Sequence, residues 1–337
     1  MTAKRSPHIA VVLGDPAGIG PELVAKLCAN PENLVDTSVL LVADRDEVEE
    51  GMRIAGVRFE YRLVNDPAEA SPQAGEILLY NYRGESRGAF ERAKVAANAG
   101  QYQLDTLKLS LDLAKRNVVD GICYAPLNKA AMHAAGMVQS DELHMFVDEL
   151  NHDGLFCEVN CLGGFWTARV TSHVALKDVS SLITPERVSN AIQLIHTQLR
   201  RAGIAEPRIA VCGLNPHNGD NGAFGTEETD VIEPGIKLAL SRGLKAEGPF
   251  PADTIFITAP ENYDAVVTMY HDQGQIAMKL MGFWRGVTVN GGLSIPIITP
   301  AHGTAFDIYG KGTARVGPME TAFQLTRKFA TFPVAGA

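Results

Sequence analysis

Seven short β-branched or apolar runs punctuate the chain: Ile9–Leu13, Ser38–Val42, Ile77–Tyr80, Gly121–Tyr124, Ala168–Thr171, Ile209–Cys212 and Ala265–Met269. Most show no alternation of apolar and polar positions. Runs of this kind are expected as strands buried on both faces, as in a parallel sheet. Between them lie stretches with helical periodicity. Leu104–Arg116 spaces Leu107, Leu111 and Leu113 along one side, and Ser189–Arg201 does the same with Ile192, Ile195 and Leu199. This alternation predicts an α/β protein with much parallel sheet. No internal repeat or low-complexity tract interrupts it. The polar, Gly-containing segment 83–98 reads as an exposed loop leading into a helix. No Ser/Gly/Pro linker divides the chain, so two lobes would share it discontinuously.

Length and charge narrow the reading. The 337 residues suffice for two packed α/β lobes or one large domain. The net charge of −9 argues against a general nucleic-acid binder, which needs a basic surface to displace counterions from phosphates. It leaves room for a small anionic substrate, since a site can be locally positive on an acidic protein. No stretch approaches the roughly 18 apolar residues of a membrane span, and the N-terminus has no signal-peptide pattern. Five scattered cysteines, Cys28, Cys123, Cys157, Cys161 and Cys212, read as buried free thiols in a reducing cytoplasm.

Candidate chemistry clusters just past the strands. Gly14-Asp15-Pro16-Ala17-Gly18-Ile19-Gly20-Pro21-Glu22 follows the first strand and opens a helix. It lacks the G-x-G-x-x-G spacing, and Pro16 removes an amide that a phosphate cradle would use, so a tight strand-to-helix turn is the simpler reading. His173, His217 and His271 each follow a strand. A single histidine is ordinarily a satisfied core or surface residue. Three at strand ends fit the place where α/β sheets gather their ligands, and imidazoles suit zinc and its first-row neighbours. His302–Gly312 (HGTAFDIYGKG) offers Gly303 for close backbone approach and Asp307 as an acceptor for a ribose diol; the bland alternative is a loop leading into a helix capped by Thr304. Asp253 lies in Gly248–Thr254. Lys279, eight residues after His271, is either a snorkelling helix residue or a proton-transfer or anion-binding group.

Gly14–Glu22 (GDPAGIGPE), Gly213–His217 (GLNPH), Gly225–Glu228 (GTEE), Gly248–Thr254 (GPFPADT), Tyr270–Gly274 (YHDQG), Lys279–Phe283 (KLMGF) and His302–Ala305 (HGTA) together resemble the 4-hydroxythreonine-4-phosphate dehydrogenase family. The resemblance spans essentially the whole chain and includes relatives of the terephthalate dihydrodiol dehydrogenase type. It implies two α/β lobes like those of the isocitrate and isopropylmalate dehydrogenases, with the site in the interlobe cleft. Residues 1–130 with 290–337 would form one lobe and 131–289 the other. It further implies a homodimer, with His173 and His217 of one subunit and His271 of the other holding a divalent metal. Zinc is the first choice, with magnesium, manganese or cobalt as alternatives. NAD would lie along His302, Gly303, Thr304, Ala305, Asp307 and Ile308, where Asp307 would repel the 2′-phosphate of NADP.

Lys279, Asp253 and Asp272 are then candidates for substrate contact, proton transfer and support of the metal. The family chemistry moves a hydride from a secondary alcohol of a hydroxy acid to the nicotinamide, with decarboxylation to follow. Substrate contacts would involve His144, Met145, Lys279, Thr288 and Ile297. Three of these depart from the family pattern: Met145 stands for a Thr, Thr288 for an Asn and Ile297 for an Arg. Loss of that Arg removes a bidentate phosphate contact. Alternatives are therefore an unphosphorylated diol-carboxylate, a four-carbon sugar-acid 4-phosphate or, outside this class, a metal-dependent hydrolase or lyase without NAD. A binding module without activity would leave the three imidazoles unexplained.

Overall fold

Short runs with few polar positions suit a sheet covered on both faces, and the computed structural model places them there. It describes residues 6–82, 89–282 and 285–332. The chain divides into two compact units, Met1–Asp153 with Leu293–Ala337, and Gly154–Gly292.

In the first unit, β1 (His8–Val12) and β2 (Ser38–Ala43) are buried at every position. They are followed by β3 (Arg62–Val64), β4 (Ile77–Asn81) and β5 (Gly121–Tyr124). Together with β12 (Ile297–Pro300) they form a parallel array in the order β3-β4-β2-β1-β5-β12. The helix Gly20–Ala29 follows β1 with Pro21 at its start, where a missing N–H costs nothing. The helix Ala97–Lys115 begins seven residues before the apolar spacing does. Its polar members are buried without strain, because Thr106 and Ser110 donate to the carbonyls of Tyr102 and Thr106 at 2.8 and 2.7 Å.

The helix Glu142–Glu149 also belongs to this unit. Its Phe146 ring meets Tyr124 of β5 at 5.9 Å. This moves residues 131–153 out of the second lobe expected from sequence.

The second unit holds β6 (Cys157–Leu162), β7 (Phe165–Arg169), β8 (Ile209–Cys212), β9 (Ala246–Phe250), β10 (Ala265–Thr268) and β11 (Val287–Gly291), in the order β11-β6-β7-β10-β8-β9. Only β6 runs against its neighbours. The apolar pattern did not mark β3, β6, β9, β11 or β12. β6 reads CEVNCL, where Glu158 and Asn160 break up the apolar positions, and β9 reads AEGPF, so neither shows the continuous apolar run that marked the others. The run at 168–171 is the tail of a strand that starts at Phe165. The helix Pro185–Arg201 is capped by Thr184, whose side chain accepts from the Arg187 amide at 3.2 Å.

All five cysteines are free. No helix among the described residues is long and apolar enough to cross a membrane. Part of the expected loop, 83–88, and Phe283 of the KLMGF motif lie outside the described residues.

Candidate active site

Strand pairing brings two of the three histidines together. β7 and β10 are parallel, with Arg169 opposite Thr268. Beyond them the two chains stay tied, because the Thr171 amide and hydroxyl both donate to the Met269 carbonyl, at 3.1 and 2.8 Å. His173 and His271 emerge side by side, ring centres 5.4 Å apart. His271 Nδ1 lies 2.7 Å from Asp272 Oδ1. If Nδ1 carries the proton, that contact leaves Nε2 as the basic nitrogen. Within one chain, this pair needs no second copy to meet.

His217 follows β8 in a left-handed turn. His217, Asn218, Asp220 and Asn221 all have φ between 43° and 55°. Non-glycine residues take this conformation only where surrounding contacts impose it. Here the Asn218 side-chain amide donates to the Pro249 carbonyl at 2.8 Å. Buried Glu228 Oε1 accepts the amides of Leu214 and Asn215, both at 2.7 Å, and its Oε2 accepts Asn215 Nδ2 at 3.0 Å. The GTEE motif thus holds the GLNPH loop. Glu227 also accepts from Ser180 and Asn215, which lowers its pKa.

The helix His271–Gly282 sorts the remaining candidates onto two faces. His271, Gln275 and Lys279 recur every four residues and form one stripe, along which Lys279 lies about 12 Å from His271. The other face borders a pocket of about 610 Å³ lined by His217, Asp253, Phe256, Asp272, Ile276 and Leu280, among others. Asp253 and Asp272 therefore share a pocket with His217, whereas Lys279 points along the stripe that starts at His271. Among the described residues, no three His, Cys, Asp or Glu side chains converge as a ready metal cage.

Thr288, half-buried on β11, lies opposite Asn160 and accepts from Asn160 Nδ2 at 3.1 Å. Ile297 is wholly buried in β12, paired with Ile122, and Met145 is 2% exposed. Both are packed into the core of their unit. His144 is exposed. Its Nδ1 lies 2.7 Å from Asp141 Oδ1, which also caps that helix by accepting the His144 amide. Burial alone would raise the Asp141 carboxyl, but the His144 hydrogen bonds outweigh it and hold it below its usual value.

The segment His302–Ile308 ends in a single 3-10 turn, Phe306–Ile308. The residue before the turn is Ala305 in the left-handed region, so Thr304 is not its cap. Gly14–Glu22 braces this segment. The Ile19 amide donates to the Thr304 carbonyl at 3.1 Å, and a Cβ on Gly18 would stand 2.7 Å from that oxygen. Glu22 accepts the Ala314 amide at 2.8 Å, and Lys26 donates to the carbonyls of Gly312 and Ala314. Burial lowers the His302 pKa, so its ring is neutral at neutral pH. Asp307 is exposed. The bracing was not legible in the motif, because it depends on contacts nearly three hundred residues away in sequence.

α/β units with mostly parallel strands and imidazoles just past the strand ends form the kind of fold that gathers ligands there. The family model described as pyridoxal phosphate biosynthetic protein PdxA matches residues 35–326. A Pseudomonas aeruginosa protein, provisionally named 4-hydroxythreonine-4-phosphate dehydrogenase 2, is 53% identical over 333 residues, covering 96% of this chain and 97% of the relative. The D-threonate 4-phosphate dehydrogenase of Salmonella typhimurium is 37% identical, covering 96% and 98%. The crystal structure of 4-hydroxythreonine-4-phosphate dehydrogenase from Klebsiella pneumoniae superposes with a TM-score of 0.82 at 33% identity, covering 98% and 100%. The chain belongs to the PdxA family, and it is an enzyme of dehydrogenase type.

Proposed function

We propose that the protein oxidises the secondary alcohol of a four-carbon hydroxy-acid 4-phosphate, using NAD and a divalent metal, with loss of CO₂ from the resulting β-keto acid. The observation that carries this reading is the pairing of His173 with His271, which opens the helix whose same stripe carries Lys279, in a chain whose relatives carry the names of dehydrogenases for such acids. Two adjacent imidazoles suit zinc, cobalt or manganese, and His217 is the third candidate ligand. A homodimer in which two chains share this site is part of the same reading.

When bound, the metal supplies Lewis acidity to the alcohol oxygen. In this reading Lys279 would bind the acid's anionic end or take part in proton transfer. Asp272 orients His271 through its Nδ1 contact, and Asp253 lines the neighbouring pocket. His302–Ile308 would carry the NAD, with Asp307 on the ribose. NAD held there would supply the acceptor for the hydride of the carbinol carbon.

A threonate-type substrate is the second choice within this reading, favoured by the Salmonella relative. With Ile297 sealed in a core, no arginine is available at that position for the phosphate, so the unphosphorylated acids belong in the same assay. The test is NADH formation by the purified protein with 4-phosphohydroxythreonine, D-threonate 4-phosphate and their unphosphorylated forms, with and without added metal. CO₂ release is followed in parallel. NADH formation that chelation abolishes supports the reading. No NADH from any of the four acids with zinc, cobalt, manganese or magnesium would overturn it, and hydrolysis without NAD would establish the lyase or hydrolase alternative.

A further inference from the structure

A connected set of polar side chains lies beside the His271–Gln275–Lys279 stripe, and the mechanism above makes no use of most of it. Arg169 closes β7 with only 4% of its side chain exposed. Its three donor positions reach three partners: Nη2 to Glu158 Oε2 at 2.5 Å, Nη1 to Asn160 Oδ1 at 3.3 Å, and Nε to Ser172 Oγ at 2.9 Å. Asn160 passes the connection on. Its Nδ2 donates to Thr288 Oγ1 at 3.1 Å, and its Oδ1 also accepts Gln275 Nε2 at 2.5 Å.

Stability is a weak explanation for this arrangement. Desolvating an ion pair costs about what the pairing returns, and well-packed apolar residues would hold β6 against β7 equally well. The ends of the network are more telling. One end is Ser172, next to His173. Another is Gln275, one turn from His271 and one turn from Lys279 on the same stripe. The third is Thr288. A guanidinium is a planar fork that fixes several acceptors at set angles, which an ammonium cannot do.

We propose that Arg169 is a positioning residue: through Ser172, Asn160 and Gln275 it fixes His173, the His271–Lys279 face and Thr288 relative to one another, and so sets metal affinity and the seating of the acid. The inference rests on the site reading above, with His173 as a metal ligand and Thr288 facing the substrate. It adds a specificity device made of this chain's own β6, β7 and β11 residues. The Gln275 link also restrains the helix turn that carries Lys279, the group proposed for the acid's anionic end.

Three variants of the full-length protein test this. Arg169→Lys keeps the charge opposite Glu158 but loses the fork. The double change Arg169→Met with Glu158→Met replaces the ion pair by apolar volume and guards against simple misfolding. Ser172→Ala cuts only the link to His173. Cobalt(II) affinity is measured by absorption titration. KM and kcat are measured with NAD and whichever of the acids named above the wild type oxidises.

Arg169→Lys and the double variant are expected to weaken cobalt affinity and raise the acid's KM by about tenfold each, the scale of outer-shell effects on metal sites. The KM for NAD and the melting temperature should stay near wild type. Ser172→Ala is expected to weaken cobalt binding alone. The proposal is overturned if the wild type binds cobalt and turns over an acid while both Arg169 variants keep cobalt affinity and acid KM within a factor of about two. It is also overturned if the losses track a fall in melting temperature and in NAD affinity alike, as a purely structural role would produce. A wild type that neither binds cobalt nor oxidises any acid overturns the site reading itself, and this proposal with it.

Discussion

Glu228 is the residue whose removal most directly asks whether the left-handed turn at His217 is imposed. Its carboxylate, 2% exposed, accepts two main-chain amides and one side-chain amide. Each such charge-assisted bond contributes about 1.5–3 kcal/mol when buried. The three share one carboxylate and the loop beside it is half-exposed, so the simple sum is too large. Glu228→Ala should cost about 3–5 kcal/mol, mostly from the amides of Leu214 and Asn215 left without an acceptor. Glu228→Gln keeps one oxygen for those amides but turns an NH₂ toward Asn215 Nδ2, so about 1–2 kcal/mol is expected. Urea unfolding followed by tryptophan fluorescence reports this unit through Trp166, which lies in β7. A two-unit chain need not unfold in one step, so the transition seen by Trp166 is the relevant one. The Gln variant should also weaken metal binding at His217 while leaving His173 and His271 in contact. A loss below about 1 kcal/mol for Glu228→Ala would refute the argument, because it would mean the turn holds without its acceptor.

Burial raises the Asp15 carboxyl above its usual value, so ionising it costs more in the folded than in the unfolded chain. That term favours folding below the ordinary carboxylate range and is lost as the pH rises through the raised folded pKa. The melting temperature of Asp15→Asn relative to wild type should therefore become more favourable from pH 3 to pH 7, about the span of that titration, and a flat difference would count against it. Gly18→Ala forces a Cβ to 2.7 Å from the Thr304 carbonyl, so it should cost about 1–3 kcal/mol and weaken NAD binding in a fluorescence titration. Unchanged NAD affinity would separate the Gly14–Glu22 turn from the cofactor segment. Burial pushes the thiols of Cys28 and Cys212 up to about 12 and Cys161 up to about 11. Native protein at neutral pH should resist iodoacetamide at these three positions and react only after unfolding; fast native labelling there would refute the burial.

Strands such as Ile9–Leu13 and Ile209–Cys212 could be read directly from the chain, because a run with no polar position is compatible with little besides a sheet covered on both sides. The motif set was equally local, and it carried the family. Residue types at strand ends were enough to nominate His173, His217 and His271. How these side chains are arranged was not local. The meeting of His173 with His271, ninety-eight residues apart, follows from the β7–β10 pairing and the Thr171–Met269 ties, and no single stretch encodes that register. Helical phase then placed Lys279 on the stripe that starts at His271 and turned Asp272 toward the pocket lined by His217 and Asp253. Ile297 and Met145 are buried in the core, as apolar side chains are driven to be, and their motif positions alone did not say so. The sequence thus determined the elements and the chemical types available. Tertiary packing decided which of them face one another, since that depends on contacts between segments that the chain alone keeps far apart.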